Sequence, residues 1–429
     1  MWWLLYQILV ALVLVLAGPF LLAARGRHYL PTLRGRLALA LPAPPAGGRP
    51  LWVHAVSVGE AAVAATLVRA LPPGPLLVTT ITPTGQERAR AAFGARPATA
   101  VGYLPFDLGP PLGRFFSRLD PAALVLVEGD YWPLALSRAR RRGVPVAVVN
   151  GRVGDASFRR MRRLRPFLGP LLGAVDRFAV QSDEDRRRLV ALGVAAERVT
   201  VTGNLKVDSP PPAPVPELAA ALARLAAGRP LVVAGSTMPG EEEAVLAAHR
   251  AAGGGATSLL VVAPRHPERW DEVERFLARA GAAVVRRSAL GEAGGEAGAA
   301  GRVEVVLLDS LGELAALYEH AAAAFVGGTL VPTGGHNPLE PARFGVATAV
   351  GPSMENFRRT AEDFDRAGAW ARVADATALG EVWRCWLAAP IAAREVGERA
   401  RRLVEAERGA VERTLAVLAP LLAAAREAA

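Results

Sequence analysis

Hydrophobic and polar positions follow a two-part rhythm along most of the chain. Short runs rich in Val, Leu and Ala alternate with longer segments rich in Ala, Leu and Arg, a pattern typical of strands and helices in parallel sheets. The strands predicted in the first half are 51–55, 76–80, 123–127, 144–149, 177–180 and 199–202. Those predicted in the second half are 231–234, 259–263, 282–286, 303–308 and 323–326.

A proline-rich stretch separates these two sets of strands. The chain has 429 residues, of which 52% are hydrophobic, and this exceeds what one core normally supports. We predict an α/β protein with two doubly wound Rossmann-like domains, at 25–208 and 217–429, joined by a linker at 209–216. Ligands bind such sheets at the carboxyl ends of the strands, so the turns that follow strands are the candidate sites. The Gly- and Ala-rich segment 291–301 is predicted to be a surface loop.

The start of the chain is uniformly apolar. Residues 2–24 carry no charge, and a helix of that length, at about 1.5 Å per residue, would cross a hydrocarbon layer of about 30 Å. Arginines follow this segment and no basic residue precedes it, so the positive-inside rule places the rest of the chain in the cytoplasm. We therefore predict a membrane anchor helix at 1–24. Gly18 and Pro19 interrupt the apolar run, which leaves a helix at the membrane interface as the alternative.

Charge is distributed unevenly between the halves. Residues 1–210 carry 27 Lys and Arg against 13 Asp and Glu, whereas residues 211–429 carry 23 against 27, so the first half should prefer acidic partners. Many of its arginines either face anionic lipid groups or form a solvated helix face: Arg138, Arg140, Arg141, Arg142, Arg152, Arg159, Arg160, Arg162, Arg163 and Arg165. Cys385 is the only cysteine, which excludes an intramolecular disulfide and a thiolate metal cluster.

Acidic residues follow two of the predicted strands in the first half. Glu60 ends a Ser-x-x-Glu capping box, and at the end of a strand it can equally serve as a general base toward an acceptor hydroxyl. Glu128 and Asp130 lie in the turn VEGDYWP, which is either a solvated loop or a site where neighbouring carboxylates raise one another's pKa. Lys206 is the only lysine of an arginine-rich chain, and it offers a compact charge, although composition alone can account for it.

The segment FVGGTLVPTGGHNPLEPARFG, at 325–345, has the composition of an anion site. Its four glycines can take positive φ, so their backbone N–H groups can close around a phosphate: Gly327, Gly328, Gly334 and Gly335. Asn337 is then the N-cap of a helix with Pro338 at N1 and Glu340 at N3, and the helix dipole favours an anion there. A sugar nucleotide fits this description. The alternative is a tight strand–loop–helix corner with a purely structural capping box.

Other turns of the second half carry similar signals. GSTMPGEEE, at 235–243, places Ser236 and Thr237 where their N–H groups can bind an anion. In APRHPER, Arg265 directly follows a strand and can pair with a phosphate in bidentate fashion. DSLGE, at 309–313, fits a structural capping box.

Taken together and in this order, the turns resemble the 3-deoxy-D-manno-octulosonic acid (Kdo) transferase family, which builds the inner core of lipopolysaccharide. The resemblance covers nearly the whole chain. It rests on nine motifs: HAVSVGE, TTITPTG, YLPFDL, VEGDYWP, TGNLKVD, GST-x-x-GEEE, PRHPER, LGELAALY and FVGGTLVPTGGHNPLEPARFG.

The resemblance implies an inverting glycosyltransferase with the GT-B fold that passes Kdo from CMP-Kdo to the lipid A precursor lipid IVA, with no metal ion or other cofactor. It implies Glu60 as general base, with Glu128 and Lys206 stabilising charge in the transition state. It places CMP on Pro264, Arg265, Leu311, Gly312, Glu313, Asn337, Pro338, Leu339 and Glu340. The implied partners are CMP-Kdo, the lipid A precursor and the anionic inner membrane surface, not nucleic acid. The implied location is the inner membrane, with the catalytic domains in the cytoplasm.

Some residues depart from the family pattern, and all of them lie on the acceptor side. Gly129, Asp130 and Gly151 stand where the family commonly has Thr, Glu and Ala. These changes leave the number of transferred Kdo units open. The competing interpretations are a UDP-dependent GT-B enzyme such as a lipid-linked N-acetylglucosamine transferase, a nucleotide-sugar epimerase, and a non-enzymatic membrane-tethered binder of anionic lipid or nucleic acid.

Overall fold

The computed structural model describes residues 2–290 and 303–427. The predicted surface loop at 291–301 lies outside the described residues. The chain forms two compact units, one of Met1–Ser209 together with Arg408–Ala429, and one of Pro210–Glu407. Each unit contains a seven-stranded sheet, and all the strand pairs in both sheets are parallel. The predicted α/β class with two parallel-sheet domains is therefore confirmed.

The sheet of the first unit has the strand order β3-β2-β1-β4-β5-β6-β7. Its strands are β1 Leu51–His54, β2 Leu76–Thr80, β3 Thr99–Tyr103, β4 Ala123–Val127, β5 Val146–Gly151, β6 Arg177–Val180 and β7 Val199–Val201. Its helices are α1 Trp2–Tyr29, α2 Leu33–Arg36, α3 Val58–Ala70, α4 Pro83–Phe93, α5 Gly109–Leu119, α6 Pro133–Arg141, α7 Asp155–Arg163, α8 Arg165–Leu172 and α9 Asp183–Ala191.

Successive residues of the first sheet point to opposite faces and build two cores. Trp52 packs on one face against Phe115 and Phe116 of α5, with a ring-centroid distance of 4.8 Å to Phe115. Its neighbour Val53 packs on the other face with Leu67 of α3. Six strands of this sheet agree with the predicted ones to within two residues. The edge strand β3 was not predicted, because only alternate positions of this strand are buried and its sequence TAVGY lacks a strong apolar run.

The sheet of the second unit has the strand order β10-β11-β9-β8-β12-β13-β14. Its strands are β8 Leu231–Thr237, β9 Leu259–Pro264, β10 Val284–Arg286, β11 Val305–Leu307, β12 Ala321–Val326, β13 Ala347–Val350 and β14 Ala371–Arg372. Its helices are α10 Pro216–Ala226, α11 Glu241–Ala251, α12 Trp270–Arg279, α13 Leu314–Leu317, α14 Leu339–Arg343, α15 Arg358–Ala367, α16 Ala376–Ala388 and α17 Pro390–Ala406. The short strands β13 and β14 were not predicted, since neither has a run of large apolar residues.

The last helix, α18 Ala410–Glu427, belongs to the first unit and not to the predicted C-terminal domain. Ala410, Leu418 and Leu421 are buried in the first unit among residues of α3, β4 and β5. The division at 217–429 was therefore wrong for this segment. Its apolar residues complete one face of the first sheet, a contact between distant parts of the chain that local sequence does not reveal.

The first helix, α1 Trp2–Tyr29, starts where the predicted segment 1–24 starts and continues beyond its end, but the predicted membrane span is not found. Within the part of the chain that the structure describes, no helix is long and apolar enough to cross a bilayer. The first turns of α1 instead make polar contacts with the first unit. Tyr6 Oη donates to Asp107 Oδ2 at 2.7 Å, and Gly109 N donates to Gln7 Oε1 at 2.9 Å.

Candidate functional site

Glu60 lies in the first turn of α3, directly after β1, and its side chain folds back over that turn. Ser57 is the N-cap and its Oγ accepts from Glu60 N at 3.4 Å, so the predicted capping box is confirmed. The carboxylate accepts from Val56 N at 2.8 Å through Oε2 and from Ser57 Oγ at 2.9 Å through Oε1. One lone pair of each oxygen remains, so the structural bonds leave the carboxylate able to accept a further proton.

The surroundings of Glu60 suit it to proton transfer near neutral pH. Glu60 is buried, with 9% of its surface exposed. Burial raises the pKa of Glu60 to about 7, and the nearby charges of Asp130 and Glu128 act in the same direction, while the bonds from Val56 and Ser57 oppose them. A carboxylate with such a pKa is both available as a base and strong enough to accept a proton at pH 7.

Glu128 and Lys206, predicted to act together, are brought into contact by the structure. Lys206 Nζ lies 2.9 Å from Glu128 Oε1, and Asn150 Nδ2 donates to the same oxygen at 3.2 Å. Asp130 lies two residues further along the turn, and burial, followed by the charge of Glu128, raises the pKa of its carboxyl. Of the two alternatives that the sequence left open for this turn, the contacts of Glu128 and the raised pKa of Asp130 favour interacting carboxylates over a solvated loop.

The backbone at this cluster is held in an uncommon conformation. Glu128 has a φ of 62° and Asn150 a φ of 53°, the left-handed region that non-glycine residues seldom occupy. Such conformations persist where the surroundings fix them and occur often at functional sites. Here they turn the side chains of both residues toward each other at the carboxyl ends of β4 and β5.

Asn150 was not predicted as a site residue from the sequence, although its hydrogen bonds connect several turns of this region. It is fully buried, and its Oδ1 accepts from Leu205 N at 2.9 Å while its backbone oxygen accepts from Gln181 Nε2 at 3.0 Å. With its bond to Glu128, it links the turns after β4, β6 and β7. The sequence does contain a signal for it, namely an Asn followed by Gly at the end of a valine-rich strand. Asn tolerates positive φ, so this pair indicates an unusual backbone conformation at the strand end.

In the second unit, the predicted phosphate cradle of glycine N–H groups is wrong, because other partners take those groups. Gly328 N, Thr329 N and Leu330 N donate to the carboxylate of Glu241 at 2.6, 2.9 and 2.9 Å. Met238 N donates to the same carboxylate at 2.9 Å. Glu241 is fully buried, and burial raises its pKa against the opposing effect of these four donors.

The remaining glycine N–H groups of this segment also bond within the unit. Gly327 N donates to Gly235 O at 2.8 Å, Gly334 N to Ser353 Oγ at 2.9 Å, and Gly335 N to Gly328 O at 2.8 Å. The expectation of positive φ was right for three of the four glycines, with values of 69°, 89° and 77° at Gly328, Gly334 and Gly335, and wrong for Gly327. The sequence shows this freedom but not the distant partners that use it.

The Asn337–Glu340 turn has the predicted local bonds with a shifted helix start. Asn337 Oδ1 accepts from Leu339 N at 3.2 Å, and Asn337 Nδ2 donates to Glu340 Oε1 at 3.1 Å. The helix α14 itself begins at Leu339, one residue later than predicted, with Pro338 and not Asn337 at the N-cap position. Burial raises the pKa of Glu340, while the charges of Arg265 and Arg343 lower it, so Arg265 lies close to this turn.

Two further predicted residues, Pro264 and Arg265, stand at the carboxyl end of β9. Pro264 ends the strand and is buried, whereas Arg265 is exposed beyond it. His336, which was not predicted, lies nearby. Burial, followed by the charges of Arg265 and His266, lowers the pKa of His336 to about 4, so its ring is neutral at pH 7.

The third predicted turn, Leu311 to Glu313, is held by its own neighbours. Leu311 is 72% exposed and Gly312 has a φ of 89°. Arg287 donates to both oxygens of Glu313, at 3.0 and 2.9 Å, and Ser310 Oγ donates to one of them. Among the described residues no hydrogen bond or ion pair joins this turn to Arg265 or to the Asn337–Glu340 turn.

The two parallel-sheet units define a GT-B-like fold that known nucleotide-sugar proteins share. UDP-GlcNAc 2-epimerase from Neisseria meningitidis has a TM-score of 0.55 at 12% identity, covering 86% of this chain and 100% of that one. Anabaena Alr3699/HepE has a TM-score of 0.57 at 9% identity, covering 88% of this chain and 100% of that one. At these identities the likeness establishes the fold alone.

Sequence relatives then establish the family. Residues 32–209 match the family model of 3-deoxy-D-manno-octulosonic-acid transferase (kdotransferase). The 3-deoxy-D-manno-octulosonic acid transferase of Bordetella pertussis is 40% identical over 91% of both chains, and that of Haemophilus influenzae is 32% identical over 88% of both. This chain belongs to the Kdo transferase family, as its motifs predicted. It is a glycosyltransferase of lipopolysaccharide biosynthesis.

Proposed function

We propose that the protein transfers Kdo from CMP-Kdo to the lipid A precursor lipid IVA, with Glu60 as general base and inversion at the anomeric carbon. The observation that carries this proposal is the buried Glu60 carboxylate, whose pKa of about 7 suits a base, near the Glu128–Lys206 pair. Glu60 accepts the proton of the acceptor hydroxyl as its oxygen forms a bond to the anomeric carbon of Kdo. The bond from that carbon to the CMP phosphate breaks, and direct displacement inverts the centre.

Charge stabilisation in this reaction is assigned to Lys206 and Glu128. The anomeric carbon becomes oxocarbenium-like and the departing phosphate gains negative charge, so fixed charges lower the barrier when they are already in place. The 2.9 Å ion pair, held by Asn150, provides such an arrangement. We assign no metal ion to the reaction, because protein cations and dipoles supply the charge.

The second unit is proposed to hold the CMP part of the donor. Arg265 is exposed at the end of β9 and can pair with the phosphate in bidentate fashion. Pro264 and the Asn337–Glu340 turn lie close to it and are assigned to the same ligand. The turn from Leu311 to Glu313, with its exposed apolar side chain and positive φ, is assigned to the nucleoside.

The arginine-rich part of the first unit is proposed to bind the acceptor. A groove of about 390 Å³ is lined by three arginines of α7 and by two apolar residues, namely Arg159, Arg160, Arg163, Ala156 and Leu164. Cations beside apolar side chains match a lipid that carries both phosphates and acyl chains. Family membership supports the same assignment.

The protein is proposed to work at the anionic surface of the inner membrane, with both units in the cytoplasm. The helix α1 exposes large apolar side chains, among them Leu9 at 59%, Val15 at 71% and Phe20 at 78%. An exposed apolar helix beside a basic surface suits the interface of an anionic bilayer. Flotation with vesicles containing anionic lipid should recover the protein, and vesicles of neutral lipid should recover less.

The test of the proposed function is a transfer assay with detergent-solubilised protein, CMP-Kdo and lipid IVA, read by product mass. Each added Kdo gives one mass increment, so the same assay counts the transfers. Product is expected in EDTA as well as without it. A protein that binds CMP but transfers nothing would retain the donor assignment and contradict the acceptor. A protein that does not bind CMP would contradict the proposal as a whole.

A further inference from the structure

The loop that carries Lys206 is bound at both of its ends by the C-terminal helix. At its start, Thr202 O accepts from Arg413 Nε of α18 at 2.9 Å. At its end, Asp208 accepts from Gly409 N at 3.0 Å through Oδ1 and from Val411 N at 2.7 Å through Oδ2. Asp208 thus caps the N-terminus of α18, although it lies about 200 residues earlier in the chain.

The middle of the same loop is held by Asn150 at the end of β5 and by a bond within the loop. Leu205 N donates to Asn150 Oδ1 at 2.9 Å, and Val207 N donates to Asn204 O at 3.0 Å. Leu205 and Val207 are buried, with exposures of 0% and 1%. Lys206, between them, is directed to Glu128. The position of its ammonium group therefore depends on how firmly residues 202–208 are fixed.

The helix α18 is a firm support for this loop, because its own apolar face is buried. Ala410 and Leu418 have no exposed surface in the core that they share with α3 and β4. The chain leaves the first unit after Ser209 and returns to it at Arg408. Asp208 lies just before the point at which the chain leaves the first unit, and it bonds to residues just after the point at which the chain returns. It is two residues from Lys206 in the sequence.

We propose that Asp208 and Arg413 are positioning residues, which hold the 202–208 loop so that Lys206 stays paired with Glu128. Neither residue is assigned a contact with substrate. The effect on catalysis rests on the proposed function, whereas the effect on Lys206 does not. The C-terminal helix α18 is distant in sequence from Glu128. By holding the loop of Lys206, it helps to keep a positive charge next to that carboxylate.

The single lysine makes this proposal measurable without an activity assay. An amine-reactive reagent labels Lys206 and the α-amino group, and peptide mass mapping separates the two. Asp208→Ala and Arg413→Met are each expected to increase the labelling rate of Lys206 by roughly three- to tenfold, which corresponds to the loss of one capping interaction for Asp208 and of one hydrogen bond for Arg413. Unchanged labelling in both variants would overturn the proposal.

A matched control separates positioning from a general loss of stability. Asp375 caps α16 in the second unit, where its Oδ1 accepts from Ala378 N at 2.9 Å. Asp375→Ala is expected to lower the melting temperature about as much as Asp208→Ala while leaving Lys206 labelling at the wild-type rate. If Asp375→Ala raises the labelling rate of Lys206 equally, the effect is a general loss of stability and the proposal fails. If Asp208→Ala does not fold, Asp208→Asn, which keeps one acceptor oxygen, is used in its place.

The catalytic consequence is tested in the same variants by steady-state kinetics. Asp208→Ala should lower kcat and leave the KM for CMP-Kdo unchanged, since the donor is assigned to the other unit. Faster labelling with wild-type kcat would overturn the link to catalysis. If the wild-type protein transfers no Kdo, the proposed function fails, and the labelling experiment still decides whether the two residues position Lys206.

Discussion

The two candidate regions of this protein hold their buried carboxylates in different surroundings. In the first unit, Glu60 has its pKa raised to about 7 and the Glu128–Lys206 pair sits on a backbone of positive φ. In the second unit, the buried Glu241 accepts four backbone N–H bonds. Positive φ there falls mainly on glycines, which adopt it at little cost.

The difference indicates a division of labour. Burial raises the pKa of carboxylates in both units. In the first unit these carboxylates lie beside the Glu128–Lys206 pair, where Glu128 has a positive φ, and such an arrangement is unfavourable for stability and consistent with chemistry there. A carboxylate that satisfies the amides of a loop fixes the shape of that loop. We therefore interpret Glu241 as the support of the donor-side loops, with the exposed Arg265 left to contact the ligand.

The largest effect expected from this contrast, apart from loss of the base itself, concerns Lys206. Lys206→Met removes the cation next to Glu128 and should lower kcat by about 10²–10³-fold, the range found when one charge-stabilising group is removed. CMP binding should stay within about twofold, a change well below 1 kcal/mol, because CMP is assigned to the second unit and Lys206 lies in the first. Lys206→Arg serves as control, since it keeps the charge and should retain more activity.

The kinetic constants and CMP affinity of both Lys206 variants check this prediction. If Lys206→Met weakens CMP binding as strongly as it lowers kcat, the division between the two units is contradicted.

The next effect concerns the support of the donor loops. Glu241→Gln replaces one acceptor oxygen with an NH₂ group, which then faces two N–H donors. Leaving buried donors unsatisfied costs about 1–3 kcal/mol, so the melting temperature of the second unit should fall. CMP should bind more weakly, while kcat at saturating donor should change little.

Calorimetry and CMP titration check the Glu241 prediction. Glu243→Gln, a substitution of a neighbouring acid on the same helix, is the control and should resemble the wild type. A normal melting temperature for Glu241→Gln would show that the four bonds contribute little.

A smaller effect concerns pH and the stability of the first unit. The folded pKa of Glu60 is about 7 against an ordinary 4.5, so between these values the folded protein binds more protons than the unfolded one. Its stability therefore falls as pH rises from 4.5 to 7, by on the order of 1–3 kcal/mol. Glu60→Gln should lose this slope and be more stable than wild type at pH 8. Denaturation at pH 5 and pH 8 measures it, and equal slopes would contradict the raised pKa.

What the sequence could predict here was mostly local. Valine- and leucine-rich runs located most strands, and the capping box at Glu60 and the Asn337 turn followed from residue types at fixed spacing. Positive φ at Gly328, Gly334 and Gly335 was also predictable, since glycine adopts it readily.

The features that the sequence did not reveal depend on distant contacts. The carboxylate of Glu241 accepts from Gly328 N, 87 residues later in the chain, and Asp208 caps the helix that begins at Ala410. Asn150 became a hub only because three strand ends meet around it. The apolar residues of α18 read as an ordinary helix, and only the fold shows which sheet they cover.

One comparison tests the division of labour most directly: wild type and Glu60→Gln, each measured for CMP binding and for a single turnover of Kdo transfer. We predict equal CMP affinity, and a transfer rate lowered by about 10²–10⁴-fold, as expected when a general base is removed. Glu60→Gln that transfers Kdo at a near wild-type rate would contradict the assignment of Glu60 as the base. Glu60→Gln that loses CMP affinity along with transfer would contradict the separation of chemistry from donor binding.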